Sequence, residues 1–98
     1  MWRHGDVLIA QTEKIPEDAT LRDDVILAYG EMTGHAHRIE SPETAELWEL
    51  GGQLYMRVTA PTATVVHEEH KPITLSKGLY RVWKQREYSP DEIRLVWD

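Results

Sequence analysis

Histidine carries the chemistry of this chain. Of the five in the sequence, four fall in two tight pairs, Gly34-His35-Ala36-His37-Arg38 and His67-Glu68-Glu69-His70. Residues two apart on a strand face the same way, so His35 and His37 would project together from a sheet. The second pair would meet if the chain turns after His67, and Pro72 suits such a turn. Two chemistries want this arrangement. Imidazole titrates near neutrality, so two of them can act as general base and general acid across a phosphodiester. Imidazoles also bind zinc, iron, manganese or nickel, with carboxylates such as Glu31, Glu40, Glu68 and Glu69 as hard partners. The remaining histidine, His4, stands alone in the sequence and reads as structural or solvated.

Metal-free cleavage of RNA uses the 2′-OH as nucleophile and needs cations for the charge that develops on phosphorus. Arg38 lies beside the first pair and Lys71 beside the second. The segment Tyr80-Arg81-Val82-Trp83-Lys84-Gln85-Arg86-Glu87-Tyr88 alternates, so Tyr80, Val82, Lys84, Arg86 and Tyr88 share one face of a regular strand. A face that begins apolar and ends Lys-Arg-Tyr suggests a strand leaving the core at the mouth of a pocket. The expected assignment follows. His35, His37, His67 and His70 are acid–base candidates, Arg38, Lys71, Lys84 and Arg86 hold phosphate, and Tyr88 stacks or donates a hydrogen bond. This reading needs no cofactor. In the alternative, the same four histidines hold a divalent transition metal. A third reading is a non-catalytic binding or assembly module built on the four tryptophans, Trp2, Trp48, Trp83 and Trp97.

The elements that must position these residues are mostly of period two. Val7 to Thr12 and Val25 to Tyr29 read as strands, and His35 to Glu40 continues the second. Ala45 to Leu50 and Gln53 to Ala60 flank Gly51-Gly52 as a hairpin. Thr62 to His67 is a further strand. Ile73 to Leu75 and Leu79 to Glu87 flank Ser76-Lys77-Gly78 as a second hairpin. Ser89 to Glu92 resembles a helix start, whereas Ile93 to Trp97 alternates and equally suits a last strand. About seven short strands at close turn spacing predict an all-β single domain, residues 1–98, built as a small barrel or sandwich. The expected core is Val7, Ile9, Leu27, Leu54, Met56, Val58, Val66, Leu75, Tyr80 and Val82.

Composition narrows the partners. The 98 residues carry 11 Lys plus Arg against 17 Asp plus Glu, a net charge of −6. Duplex DNA binders are usually basic, so that partner is not expected, whereas a small nucleotide or RNA ligand is. No cysteine is present, which excludes disulfides, thiolate zinc sites and cysteine nucleophiles. No aliphatic run approaches the roughly 20 residues of a membrane span, and the first residues form no secretory signal, so the expected location is the cytoplasm. The tryptophans suit a homo-oligomer interface.

Two resemblances add to this. The H-x-H on a strand and the stretch Ile73-Thr74-Leu75-Ser76-Lys77-Gly78 are similar to the metal-binding cupins, although the late histidine of that family has no counterpart here. The runs Gly30 to Ile39, His67 to Ile73 and Gln85-Arg86-Glu87-Tyr88 resemble a family of small, mostly uncharacterised bacterial and phage proteins. That resemblance spans Gly5 to Tyr88. By analogy with ring nucleases of phage–host conflict, it favours a phosphodiesterase acting on RNA or a small cyclic oligonucleotide.

Overall fold

A computed structural model of the chain describes residues 1–30 and 34–85. Eight strands form one antiparallel sheet curled into a half-barrel: β1 (Trp2–His4), β2 (Val7–Gln11), β3 (Thr20–Leu21), β4 (Ile26–Tyr29), β5 (Ala36–Ile39), β6 (Ala45–Leu50), β7 (Gln53–His67) and β8 (His70–Lys84). Among the described residues there is no α-helix, only a short 3₁₀ turn at Pro42–Thr44 ahead of β6. No helix there is long and apolar enough to cross a membrane. The all-β expectation holds.

The frame is a hairpin of two 15-residue strands, β7 and β8. Near its open end β8 pairs with β2 and β7 pairs with β6. Toward its tip β7 pairs with β5, which in turn pairs with β4. In the order β1-β2-β8-β7-β5-β4, β2 and β1 follow on the β8 side of the hairpin and β5 and β4 on the β7 side, and the curl of the sheet carries the end of β1 to the tip, where His4 meets Lys71.

The sequence pattern divides this frame wrongly. Gln53 to Ala60 and Thr62 to His67 are one strand, interrupted by a register shift between Val58 and Thr62. Pro61 falls in that irregular stretch, where its missing N–H removes no ladder bond. Ser76-Lys77-Gly78 is likewise no hairpin turn, because β8 runs through it, with Val58 opposite Gly78 and Thr62 opposite Ser76. Extra residues on β7 at this point bend the pair without ending it. The Tyr80 hydroxyl donates to the Ser76 carbonyl at 2.6 Å and ties the bend to the core. The strands β1 and β3 are too short to show as periodic runs.

The bulge also explains the core. Met56 and Val58 face inward, and beyond the shift the inward positions become Ala63 and Val65. Val66, expected inside, is only half-buried, as is Leu54. The other expected core residues are buried and are joined by Leu8, Ile39, Ala45 and Leu47. Trp2 packs edge-on against Tyr80 at 5.6 Å, while Trp48 and Trp83 lie under Arg57 and Arg81. Trp97 and the segments 89–92 and 93–97 lie outside the described residues.

Tyr80→Phe removes a part-buried hydrogen bond to the Ser76 carbonyl. It should cost about 0.5–1.5 kcal/mol, measured by urea unfolding. No loss would mean that the bend holds without this bond.

Candidate functional site

The turns and ends of four strands converge at the hairpin tip. His67 closes β7 and His70 opens β8, so the chain reverses across Glu68-Glu69 and the two histidines form a cross-strand pair, with ring centroids 4.7 Å apart. His37 comes from β5 and packs its ring 4.3 Å from His67 and 5.6 Å from His70. His35 stands just before β5, its ring 5.7 Å from His67. His4 ends β1, 5.0 Å from His37 and 5.7 Å from His70. All five histidines thus meet in one cluster. The short separation of His35 and His37 in sequence does not give them equal burial. His37 is buried inside the sheet, while the His35 side chain keeps 24% of its surface.

Glycine makes this approach possible at two places. Gly5 turns β1 into β2 at φ 64°, and a Cβ there would lie 2.6 Å from His70 Nε2. A Cβ at Gly30 would come within 3.0 Å of His67 Nε2. Side chains at either position would push into the imidazoles.

Glu68 fastens the two histidine pairs together. Its Oε1 accepts the Ala36 N–H at 3.0 Å and its Oε2 accepts Arg38 Nη1 at 2.9 Å. Arg38 donates also to the Ala36 carbonyl. The Ala36 amide, the carboxylate's own backbone N–H and the Arg38 charge together lower the Glu68 pKa to about 2. Arg38 is therefore spent on holding β5 to the hairpin tip.

The hydrogen bonds of the buried pair His4 and His37 fix their protons. His4 Nε2 lies 2.9 Å from the Lys71 carbonyl, which can only accept, so His4 carries a proton there. Its Nδ1 lies 2.9 Å from His37 Nδ1. A neutral His4 accepts at that nitrogen, so His37 must donate from Nδ1. Both residues are 2% exposed, and burial is the main cause that depresses their pKa values. For His37 the surrounding imidazoles His67 and His4 add to burial, Asp6 opposes, and the value falls to about 4. At neutral pH the pair is uncharged. His37 Nε2 then presents a lone pair, and 3.5 Å away stands Asp6 Oδ1, a second acceptor. Two acceptors that face each other need a donor or a cation between them.

Ligand atoms of His37, His67 and His70 lie within 4.8 Å of one another, close enough to converge on one metal ion. They border a cavity of about 480 Å³ that is also lined by Gly5, Asp6, Gly30, Glu69 and Gln85. Among the described residues its lining holds two carboxylates and no lysine or arginine. Lys84 Nζ donates instead to the Tyr29 carbonyl, and Lys71 is exposed and meets the site through its backbone. Arg86, Tyr88 and Glu31 lie outside the described residues. Glu40 follows β5, exposed, and belongs to neither of the convergent ligand groups.

His4 is the residue that sequence reasoning missed. The available signal was Trp2-Arg3-His4 before Gly5-Asp6, a short strand and a turn that point His4 to the same side as Trp2.

A curled antiparallel half-barrel with an imidazole cluster at one hairpin tip, buried at His4 and His37 and open to solvent at His70, defines the architecture. Residues 3–85 match the family model described as a domain of unknown function (DUF8820), and the chain belongs to that family. The match takes in all five histidines and ends at Gln85. No curated protein and no solved structure matches the chain.

Because His37 and His4 resist protonation when folded, the unfolded chain binds more protons than the folded one between about pH 6.5 and pH 4. The melting temperature should be highest above this window and fall as pH drops through it. His37→Gln should flatten that slope in metal-free protein. A wild-type slope unchanged by the substitution would show that His37 is not the buried titrating group.

Proposed function

We propose that this chain is a metalloprotein in which His37, His67 and His70 hold a divalent transition ion, with open coordination directed into the cavity beside Asp6 and Glu69. What carries the reading is the enforced tautomer of His37. The Lys71 carbonyl sets the proton of His4, His4 sets that of His37, and His37 Nε2 is left as a lone pair opposite a carboxylate. Metal-bound histidine commonly hands its other N–H to such an acceptor, which orients the ring and raises its basicity. Three neutral nitrogens suit zinc, with iron and manganese as chemical neighbours. His67 takes part by releasing the Glu69 N–H that its Nδ1 accepts at 3.0 Å, or by binding through the opposite nitrogen in the other tautomer.

An ion held by three protein ligands and open on its fourth side supplies Lewis acidity to water or to a substrate oxygen. Asp6 stands beside His37 Nε2, placed to take a proton from a water on that side. The activity that follows is metal-assisted hydrolysis of a small substrate admitted to the cavity. The metal-free phosphodiesterase reading draws on the same histidines but less support: Arg38 and Lys84 are engaged elsewhere, and the described lining carries acidic rather than basic side chains. A phosphodiester substrate would instead find its cation in the metal.

Zinc should bind to tag-free protein by calorimetry and raise its melting temperature, and chelator should reverse the rise. His37→Ala and His70→Ala should each weaken binding by more than about 100-fold. His4→Ala should cost about 10–100-fold, the usual effect of an outer partner, while His4→Gln, which can both accept and donate, should recover much of it. Wild type that neither binds zinc nor responds to it thermally would sink the proposal. Cleavage of ribo-oligonucleotides that survives excess chelator would favour the phosphodiesterase instead.

A further inference from the structure

His35 is unused by the three-histidine site, and its surroundings are chemically unfinished. Its Nδ1 is buried and has no hydrogen-bond partner among the described residues. A polar atom left so is costly, and most find a partner. The nearest carboxylate oxygen, Glu69 Oε2, stands 3.7 Å away, too far for a hydrogen bond but compatible with two ligands flanking one ion. Glu68 is also near, clamped by the Ala36 amide and Arg38 and so held in place as a carboxylate. Ligand atoms of His35, His67 and Glu68 fall within 4.8 Å of one another, a second convergent set that shares only His67 with the first. The His35 and His67 rings are perpendicular, at 89°, with centroids 5.7 Å apart.

We propose that a second divalent metal position lies between His35, His67 and Glu68, with Glu69 beside it, making the hairpin tip a two-ion centre. The proposal rests on the first position being a metal site. Imidazole has a nitrogen on either side of the ring, so His67 can serve one ion from each. To do so its neutral ring gives up its one N–H proton to solvent, and its Nδ1 gives up the Glu69 N–H it accepts. No oxidant or reductant is involved. The arrangement accounts for a histidine beside a carboxylate that would otherwise have an empty buried acceptor.

Stoichiometry decides. Wild type titrated with zinc chloride, and separately with cobalt chloride, should saturate at two ions per chain, counted by calorimetry and by elemental analysis after desalting. His35→Ala and His35→Asn should each bind one, with the remaining affinity close to that of the first wild-type site. His70→Ala should lose the first position and keep the second, whereas His67→Ala should impair both. Circular dichroism confirms that each variant is folded, and if the His35 variants are not, the wild-type count alone rules. Saturation of wild type at one ion, or two ions retained without His35, overturns the second position and leaves the first standing. No binding at all removes both.

Discussion

A buried hydrogen bond between two imidazoles, His4 and His37, couples the protonation of the two rings at the hairpin tip. Imidazole pairs carry a choice that most side chains do not, because each nitrogen can give or receive. Here the choice is made by a backbone carbonyl. Lys71 lies on β8 within the register shift between the Val65–Ile73 and His67–His70 pairs, and there its carbonyl, which can only accept, meets His4 Nε2. The decision then passes through His4 to His37 and emerges at Nε2, beside Asp6. Burial keeps both rings neutral, since a charged imidazole would lose its hydration and Asp6 beside His37 offsets only part of that cost. A neutral, oriented, electron-pair-donating nitrogen is what a metal requires.

The rest of the fold reads as the means of bringing distant segments to that bond. His4 and His37 are 33 residues apart and Lys71 is 67 from His4. The long β7–β8 hairpin bridges these separations, with β5 paired beside its tip and the curled sheet carrying the end of β1 back to Lys71. Glu68 then fixes β5 to the turn itself, through one backbone amide and one guanidinium. Gly5 and Gly30 leave the space that the rings occupy. The bulge at Val58–Thr62 lets the two strands bend while keeping Met56, Val58, Ala63 and Val65 all on the core side.

Much of this was legible in the sequence where the pattern is local. Alternation marked β2, β4 and β6, and Gly51-Gly52 marked the β6–β7 turn between Leu50 and Gln53. The spacing of His67 and His70 anticipated a turn between them. What failed was non-local. Ser76-Lys77-Gly78 has turn composition but is held extended by pairing to β7, a tertiary effect on a weak local preference. The phase change that buries Val65 in place of Val66 follows from a bulge that no short window reveals. Arg38 suggests a phosphate contact by its place beside His37, yet the fold sets Glu68 at 2.9 Å from it and uses the pair as a clasp. His4 was hidden for the same reason, because its partners are on β5 and β8.

The protonation pattern of that pair is open to direct measurement, by long-range ¹H–¹⁵N correlation of the imidazole nitrogens. In metal-free protein at neutral pH, His4 should be neutral with its proton on Nε2, and His37 neutral with its proton on Nδ1. Addition of zinc should shift His37 Nε2 and leave its Nδ1 proton in place. A His37 protonated at Nε2, or a cationic His4 at neutral pH, would contradict the account, because the lone pair that makes the site would then be absent.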